Sequence, residues 1–172
     1  MPKVNETCIN FGVYEDGNEY YGQADITLPD LELMAQDITG AGIAGTVSAA
    51  VVGHYNAMAA SINFRTICPS VVRLAEPRDH QLDVRGAMQV RDTATGKVSV
   101  QAVKAVMKCQ PKTIKLGKLA PASPADASGE VSVSYIALYI DGEKVAEIDP
   151  YNFIAMVNGT DYLAETRKAL GK

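Results

Sequence analysis

The last quarter of the chain, residues 131–172, reads VSVSYIALYIDGEKVAEIDPYNFIAMVNGTDYLAETRKALGK. Apolar and polar residues alternate at its start, as in a half-buried strand, and the run becomes apolar on both faces toward residue 140. Asp141-Gly142 strongly favours a two-residue hairpin turn, because both residue types tolerate a positive φ. A second strand follows and is broken at Pro150. The stretch therefore predicts antiparallel β structure.

A short helix is predicted after these strands, over residues 160–170. Thr160 is a suitable N-cap, because its hydroxyl can accept a hydrogen bond from a backbone N–H of the first turn. Leu163 and Leu170 share one helical face. A helix this short is marginal by itself, so the two leucines are expected to pack it against the rest of the protein. Lys172 is expected to be dispensable.

Similar patterns extend toward the N-terminus. Strand-like alternation occurs in residues 20–28, 58–65, 81–92 and 97–110. Pro69 marks the start of one or two helical turns. Residues 111–129 are rich in Lys, Pro, Ala, Ser and Gly, and within them APASPADASG, residues 120–129, predicts a loop. The chain is therefore expected to be a single mainly β domain, residues 1–172, with one or two short helices.

The overall composition argues against several classes of protein. A net charge of −4 and a pI near 5.2 are unfavourable for tight binding to nucleic acid or membranes. No apolar run is long enough to span a bilayer, and residues 1–12 lack the apolar segment of a secretion signal. The cysteines at positions 8, 68 and 109 are odd in number and far apart, which favours reduced thiols over a disulfide framework or a zinc site.

Residues 40–45, GAGIAG, match the GxGxxG pattern of dinucleotide-binding loops. Such a loop needs a buried strand before it, a helix after it and an acidic residue about 20 positions on for the ribose. Here the preceding residues alternate, the following TVSAAVV is β-like, and no Asp or Glu occurs between Asp37 and Glu76. The glycines therefore predict a flexible hairpin tip, and no cofactor is expected.

No arrangement of residues typical of catalysis or metal binding is evident. His54 and His80 are isolated and lack the spacing of metal ligands, so each is expected to be an ordinary surface or core residue. Asp79 and His80 together with Ser70 suggest a fragment of a catalytic triad. Because there is no GxSxG elbow, nucleophilic catalysis is not expected.

Two groups of charged residues leave alternatives open. Glu143, Glu147 and Asp149 would share one face of a strand, although EIDP is better explained as the turn that ends it. A basic run is formed by Lys104, Lys108, Lys112, Lys115 and Lys118. It is either a solvated strand and loop or a surface that pairs with an acidic face of another subunit.

Two features of the strands hint at assembly. Several strands carry small residues on both faces, which suits broad flat contacts. The long strands 81–92 and 97–110 leave edges that need partners. Residue chemistry alone predicts a β-rich domain and does not specify what it does.

The C-terminal stretch resembles the C-terminus of the major tail tube proteins of contractile-tailed phages and R-type bacteriocins. In that family a strand that carries a Tyr and a Leu and ends in D-G leads to E-I-D, an asparagine, V/I-N-G-x-D-x-L, a basic residue and a final L-G. The matching residues are Tyr135, Leu138, Asp141, Gly142, Glu147, Ile148, Asp149, Asn152, Asn158, Gly159, Asp161, Leu163, Arg167, Leu170 and Gly171. A second block, Leu28-Pro29 followed by the glycines of residues 40–45, is similar to the family's strand end and glycine loop.

The resemblance implies a structural protein and not an enzyme. The family fold is two packed antiparallel sheets, sandwich-like or barrel-like, with a helix at the side. Six subunits form a ring, each donates four strands to an intersubunit β-barrel, and rings stack into a hollow tube that serves genome ejection or membrane puncture. The residues expected at subunit or ring contacts are Gly40, Gly42, Gly45, Asp149, Asn152, Asn158 and Leu163.

The resemblance also implies partners and a location. The partners would be further copies of the chain, the tail sheath protein, the baseplate and tail terminator proteins, and a tape measure protein in the lumen. DNA would pass without specific binding, in keeping with the net charge of −4 per subunit. Asp83, Arg85, Gln89 and Arg91 are mixed in sign and are expected to face either the lumen or a neighbour.

The same resemblance implies no cofactor, metal or membrane anchor, and a place in the virion tail, assembled in the cytoplasm of the host bacterium. Two alternatives remain at this point. One is a tube protein of the type VI secretion kind, which shares the ring architecture. The other is a monomeric small β-barrel that binds a small ligand, or an enzyme, with a polar-lined pocket.

Overall fold

A computed structural model of the chain describes residues 3–22 and 24–171. The described residues are mainly β with two short helices, as the sequence predicts. The strands are β1 (Lys3–Glu15), β2 (Glu19–Tyr20), β3 (Ala24–Thr27), β4 (Leu33–Ile38), β5 (Val47–Tyr55), β6 (Met58–Phe64), β7 (His80–Asp92), β8 (Val98–Lys115), β9 (Ala127–Ile140), β10 (Glu143–Asp149), β11 (Ile154–Val157) and β12 (Thr160–Asp161). The helices are α1 (Pro69–Leu74) and α2 (Ala164–Ala169).

The described strands form two antiparallel sheets, one large and one small. In the large sheet β9 pairs with β8 along one side, while its other side pairs with β6 over the first half and with β10 over the second. The order continues through β7, β1 and β2 beyond β8, and through β11 and β12 beyond β10. β3 pairs with β6, and β4 and β5 form the separate two-stranded sheet. The prediction of a mainly β fold with two sheets is confirmed.

Tight turns join the central strands, one of them at the predicted Asp141-Gly142. Asp141 and Gly142 connect β9 to β10 with φ angles of 50° and 87°, and a positive φ at both positions is what a type I′ hairpin turn requires. Between β7 and β8 the Asp92 carboxylate accepts hydrogen bonds from the backbone N–H groups of Ala94 and Thr95, at 2.9 and 3.1 Å. The β7–β8 ladder then runs without a register shift.

The core lies on one face of the folded large sheet, where the inward side chains of its long strands meet. The buried apolar residues of β6 to β9 are Met58, Ala60, Ile62, Phe64, Leu82, Val84, Val90, Ala105, Met107, Cys109, Ala127, Val131, Val133, Ile136 and Ala137. Tyr21, just after β2, packs against Phe64 of β6 with ring centroids 6.2 Å apart. This contact links the β1–β2 end of the large sheet to the strands β3 and β6, which branch from β9. Burial of each large apolar side chain contributes roughly 2 kcal/mol.

The helix predicted at Pro69 is confirmed and covers one end of the core. Proline suits the first helical turn, because its missing N–H would have no partner there. Val71 and Leu74 are buried. Leu74 lies against Gly129 of β9, where an added Cβ would come within 2.8 Å of Leu74 Cδ2. The close approach of α1 to the sheet therefore depends on a glycine.

The loop predicted for residues 120–129 is wrong at its C-terminal end, and the strand predicted for residues 97–110 is longer than expected. β8 continues to Lys115 and β9 begins at Ala127. The register between the two strands shifts between Pro111 and Thr113, which is a β-bulge. Proline has no N–H for a sheet ladder and is tolerated at bulges, so β8 passes through Pro111 without breaking.

The predicted C-terminal helix is also shorter than expected. α2 covers Ala164–Ala169, and no side chain caps its N-terminus. Thr160 lies in β12 and is not the cap, which corrects the prediction. Asp161 organises the segment instead: its carboxylate accepts hydrogen bonds from the Leu163 N–H, at 3.0 Å, and from the Arg167 guanidinium. Pairing of the segment with β11 has outweighed its local preference for a cap.

The two leucines expected to hold α2 have different environments. Leu163 is 3% exposed, as predicted, whereas Leu170 is 58% exposed, so the prediction that Leu170 packs on the body is wrong. Leu170 is the C-cap of α2, a helix that has no buried residue within its bounds. Lys172, expected to be dispensable, lies outside the described residues.

Candidate functional site

The β4–β5 hairpin is the most apolar exposed part of the described chain. Its strands pair with each other and with no other described strand. The exposed apolar residues of the hairpin are Leu33, Met34, Ile38, Ile43, Val47, Val51 and Val52, at 39–62% exposure. An isolated two-stranded hairpin is only marginally stable in water, and contiguous exposed apolar surface marks an interaction site. The hairpin is therefore a surface that another molecule is expected to cover.

Residues 40–45 form the tip of this hairpin, as the sequence predicts. Gly42 and Gly45 have φ angles of 92° and 139°, whereas Gly40 does not need a positive φ. An added Cβ at any of the three would meet no atom within 4 Å. The tip lies between two strands and not between a strand and a helix, so the geometry of a dinucleotide-binding loop is absent.

The base of the hairpin is held by Leu163. An added Cβ at Gly53 of β5 would lie 2.5 Å from Leu163 Cγ, so this leucine packs directly on the β5 backbone. Gly53 also has a φ of 70°, which favours glycine. The backbone N–H of Asn56 donates to the carbonyl of Glu32 at 2.8 Å. Nothing in the local sequence around Gly53 indicated this contact with the C-terminal segment.

Three of the predicted contact residues organise turns within the subunit. Asp149 is 8% exposed, and its carboxylate accepts hydrogen bonds from the backbone and side-chain nitrogens of Asn152, at 3.1 and 2.6 Å. Asn158 has a φ of 49°, and its N–H donates to the Val145 carbonyl at 2.7 Å. Their proposed role in contacts between subunits stays a prediction.

The three carboxylates of β10 do not all share one face, although the strand pattern suggested that they would. A register shift between Lys144 and Ala146 separates Glu143 from the face that carries Glu147. The Glu147 carboxylate accepts hydrogen bonds from Tyr135 Oη, at 2.7 Å, and from Lys144 Nζ, at 2.9 Å. These bonds keep the pKa of Glu147 below its usual value. Glu147, Ile148 and Asp149 lie in β10 and pair with β11, so only Pro150 of EIDP belongs to the exit turn and the prediction is wrong for the other three.

The first strand has an unpaired edge. β1 pairs with β7 along its length, but with β2 only at Tyr14 and Glu15. Between Lys3 and Gly12, no described strand pairs with its outer side. A long exposed strand edge is a template for pairing with another chain, so β1 offers a second surface for assembly.

The face of the large sheet that points away from the core is called the open face below. In β7 to β10 it carries Asp83, Arg85, Gln89, Arg91, Lys104, Val106, Lys108, Tyr135, Tyr139, Lys144 and Glu147. The four residues of β7 expected at a lumen or a neighbour thus share one face. Lys104 and Lys108 join them, whereas Lys112 pairs with Glu130 at 2.8 Å farther along β8. Strand alternation indicated this face, but not which strands lie side by side in it.

A buried polar cluster surrounds Glu15. Its carboxylate accepts hydrogen bonds from Tyr21 Oη at 3.1 Å and from Arg78 at 2.7 Å, and it lies 2.6 Å from His80 Nδ1. The other ring nitrogen of His80 lies 3.0 Å from the Glu76 carbonyl oxygen. Both nitrogens of His80 are therefore engaged, which leaves none to activate a serine. Sequence reasoning missed the cluster, because its members are far apart in the chain.

Few other described residues are candidates for catalysis or metal binding. Asp79 accepts a hydrogen bond from Gln110 at 2.7 Å instead of orienting His80. Burial raises the pKa of the Cys109 thiol to about 12, which makes it a poor nucleophile. No group of His, Cys, Asp and Glu in the described residues has a geometry suited to a metal ion. No helix in the described part of the chain is long and apolar enough to cross a membrane.

Comparisons with known proteins place the chain in a family. The chain is 28% identical to the tail tube protein of Escherichia phage P2 over 162 residues, which is 92% of this chain and 93% of that protein. A tube–sheath complex of an extracellular contractile injection system, PVC, contains a chain with 9% identity and a TM-score of 0.48, over 76% of this chain and 88% of that one. The family model of the phage tail tube protein FII matches residues 5–171. The chain therefore belongs to the phage tail tube protein FII family and is a structural subunit of a tail tube.

Proposed function

We propose that this subunit forms hexameric rings that stack into the hollow inner tube of a contractile tail. The tube is the conduit for genome ejection, or for membrane puncture in a phage-like particle without a genome. Family membership supports the tube. The proposals of a hexamer, of stacked rings and of a conduit rest on exposed surfaces that a second copy of the subunit could cover.

The exposed β4–β5 hairpin carries the proposal. Its apolar side chains lie on a two-stranded sheet that pairs with no other described strand and whose base packs on Leu163. A neighbouring subunit that covers this hairpin would bury the side chains and order the glycine tip. Glycine loses much conformational entropy when it is fixed, so the tip gains its final shape only where such contacts offset that cost.

The free edge of β1 supports closure of a ring. Strand pairing across subunits would continue the large sheet and remove the exposed edge. With four strands per subunit, a hexamer yields about 24 strands. At ~4.8 Å spacing and ~40° tilt these give a circumference of about 150 Å and a backbone diameter of about 48 Å. After side chains are subtracted, a DNA duplex can pass.

The proposed partners follow from this architecture. They are further copies of the chain, a sheath protein around the tube, baseplate and terminator proteins at its ends, and a tape measure protein inside it. Assembly takes place in the cytoplasm of the host bacterium, and the product is part of the virion tail. The subunit has no catalytic role, and its network of buried polar groups serves folding.

Electron microscopy of the purified chain tests the proposal, with Gly42→Val as the diagnostic variant. Wild-type protein is expected to form rings and stacked tubes. A β-branched residue is strained at the Gly42 φ of 92°, so the variant should stay folded but polymerise poorly. Thermal unfolding of the monomer measures the fold, and negative-stain images measure the tubes.

Gly96→Val is the matched control. Gly96 also has a positive φ, 68°, and no atom within 4 Å of an added Cβ, but it lies in the β7–β8 turn. It should carry a similar local strain and still assemble. Normal tubes from Gly42→Val would exclude the hairpin tip as a contact. A wild-type chain that remains monomeric at high concentration, without tubes, would contradict the proposed function itself.

A further inference from the structure

His80 is a buried histidine whose two ring nitrogens both face hydrogen-bond acceptors. Its side chain has 0% exposure. Nδ1 lies 2.6 Å from a carboxylate oxygen of Glu15, and Nε2 lies 3.0 Å from the backbone carbonyl oxygen of Glu76. A neutral imidazole has one N–H and one lone pair, whereas an imidazolium donates from both nitrogens. Because a carbonyl oxygen has no proton to give, the two contacts together require a proton on Nε2 and another between Nδ1 and Glu15.

The groups around Glu15 decide on which side of the short contact that second proton lies. The Glu15 carboxylate accepts hydrogen bonds from Arg78, at 2.7 Å, and from Tyr21 Oη, at 3.1 Å. Arg73 Nε lies 3.9 Å from the same carboxylate. Burial by itself raises the pKa of Glu15, but the hydrogen bonds and positive charge around it outweigh burial and lower the pKa from its usual 4.5. Glu15 is therefore ionised, and the second proton lies on the ring of His80.

The charges of the neighbourhood balance only when His80 is protonated. Glu19 pairs with Arg73, and Glu76 pairs with Arg78 at 2.7 Å. The carboxylates that meet at this site are Glu15, Glu19 and Glu76, and the cations are Arg73, Arg78 and the imidazolium of His80. Each anion thus has a cation, as a buried charge requires.

The other titratable groups near the ring do not compete for its proton. Asp79, the sequence neighbour of His80, accepts a hydrogen bond from Gln110 at 2.7 Å. Burial raises the pKa of the Tyr21 hydroxyl, and it raises the pKa of the Cys109 thiol to about 12. Tyr21 and Cys109 are therefore uncharged hydrogen-bond donors.

This cluster connects the ends of two strands. Glu15 is the last residue of β1, His80 is the first residue of β7, and Glu76 lies between α1 and β7. If the ring of His80 loses one proton, one of its nitrogens presents a lone pair to an oxygen. A buried acceptor without a donor is destabilising. The double contact of His80 with Glu15 and Glu76 is called the latch below.

We propose that His80 is an imidazolium in the folded subunit and that its second proton closes the latch at the end of β1, so that the subunit and its assembly through the β1 edge both weaken as the pH rises. The part that concerns assembly rests on the proposed function. In the unfolded chain an imidazole loses its proton near pH ~6.5. A proton held by the fold adds stability that is fully present below this value and is lost as the pH rises above it.

Nitrogen NMR tests the protonation state of His80 directly, because the chain has only two histidines. Ring nitrogens with and without a proton differ in chemical shift, so a spectrum of nitrogen-15 histidine-labelled protein at neutral pH counts the N–H groups. It is recorded in solution if the chain stays monomeric and in the solid state if it forms tubes. His54→Gln removes the other set of signals. We expect two protonated nitrogens for His80, and a ring with one would overturn the inference.

Urea unfolding between about pH 6 and pH 9 measures the latch. The folding equilibrium constant of the wild type should fall with pH, by up to about tenfold per pH unit for one proton. His80→Gln should be less stable at neutral pH and lack this decline, because glutamine does not titrate. The matched control is His54→Gln, which removes an exposed histidine of β5 and should keep the decline. A flat wild-type profile, or an equal decline in His80→Gln, would contradict the inference.

Glu15→Gln provides a second test if His80→Gln does not fold. Its side-chain amide can donate to Nδ1 of a neutral ring, while Nε2–H still donates to the Glu76 carbonyl. Every contact of the latch is then satisfied without the second proton. The decline of stability above neutral pH should therefore disappear in this variant. A decline equal to that of the wild type would show that the latch does not depend on the proton.

Electron microscopy over the same pH range tests the link to assembly. Wild-type tubes should become fewer as the pH rises, whereas any tubes of Glu15→Gln should not depend on pH in this range. Wild-type tubes that persist while the stability of the subunit falls would exclude the latch as a control of assembly. If the wild type forms no tubes at any pH, the proposed function fails, whereas NMR and urea unfolding still decide whether His80 closes the latch.

Discussion

Among single residues, Glu15 is a buried carboxylate whose stability depends on the groups that surround it. It is 1% exposed and accepts hydrogen bonds from Tyr21 and Arg78, beside the imidazole of His80. These partners come from the end of β2 and from the segment between α1 and β7. A buried charge is tolerated only when it is paired in this way. Glu15 thus ties the end of β1 to the start of β7, next to the edge that is proposed to meet a neighbour.

We expect Glu15→Gln to lower the free energy of unfolding by roughly 3 kcal/mol, because it removes one member of a buried charge network. Urea unfolding of the subunit, followed by circular dichroism, measures the loss. Glu19→Gln is the control, since Glu19 forms only an exposed ion pair with Arg73, and such pairs are worth about 0–1 kcal/mol. Equal losses in both variants would show that the buried network around Glu15 contributes no more stability than an exposed ion pair.

Acid provides a second measure of the same change. Burial by itself raises the pKa of Glu15, but the hydrogen bonds from His80 and Tyr21 and the charge of Arg78 outweigh it, so the pKa in the folded state is lowered from its usual 4.5. The contribution of Glu15 is therefore fully present above pH 4.5 and is lost as the pH falls through the lowered value. The Gln variant should show a weaker decline of stability across this range than the wild type.

Among the elements, α2 and the β4–β5 hairpin depend on each other. The base of the hairpin rests on Leu163, which immediately precedes α2 and packs against Gly53. α2 itself has no buried residue within its bounds. Its sequence neighbour Leu163, and not the helix face, therefore makes the important contact. This arrangement allows a C-terminal residue to set the direction of a hairpin that lies far from it in sequence.

We expect Leu163→Asp to abolish tube formation. It places an unpaired charge in a buried site against β5, which costs several kcal/mol and releases the base of the hairpin. Leu170→Asp is the matched control in the same segment, because Leu170 is 58% exposed, and it should still assemble. Electron microscopy and sizing chromatography score both variants. Stacked rings from Leu163→Asp would show that the hairpin does not need this anchor.

At the scale of the whole molecule, the subunit has a closed apolar core and three exposed surfaces that are available for assembly. The core is closed by apolar side chains, without disulfides among the described cysteines. The three exposed surfaces are the apolar β4–β5 hairpin, the unpaired edge of β1 and the open face.

A chain with Cys8→Ser, Cys68→Ser and Cys109→Ala is expected to form tubes. Cys8 is exposed and Cys68 partly exposed, and the buried Cys109 makes one weak bond from its thiol to the His80 carbonyl, at 3.6 Å. Its replacement should cost about 1–2 kcal/mol through lost packing. Tube yields with and without a chelator, in reducing buffer, provide the measurement. A strict need for a thiol or a metal would contradict a purely structural role.

Some parts of this fold could be predicted because they depend on neighbouring residues. The Asp141-Gly142 turn, the glycine tip and the helix start at Pro69 follow from backbone preferences of the residues themselves. The alternation in β7 follows from the two-residue period of a strand. Each of these signals is contained within a few positions and is insensitive to the rest of the chain.

Other parts could not be predicted in this way. The bulge that carries β8 through Pro111 depends on the register with β9. The placement of Thr160 in β12 depends on pairing with β11. The contact of Leu163 with Gly53 and the cluster around Glu15 join segments that lie far apart in sequence. The candidate hairpin tip was thus predictable, whereas its anchor and the two acceptors that face His80 were not.

The sequence by itself determined the mainly β class, the positions of the turns and, through the residues of its C-terminal stretch, the resemblance to tail tube proteins. Only the tertiary structure decided which strands lie side by side, and therefore that Arg85, Lys104 and Lys144 form one row while β1 keeps a free edge. The physical reason is that backbone angles and strand periodicity are local properties. Strand order and register are set by the burial of a core shared by the whole chain.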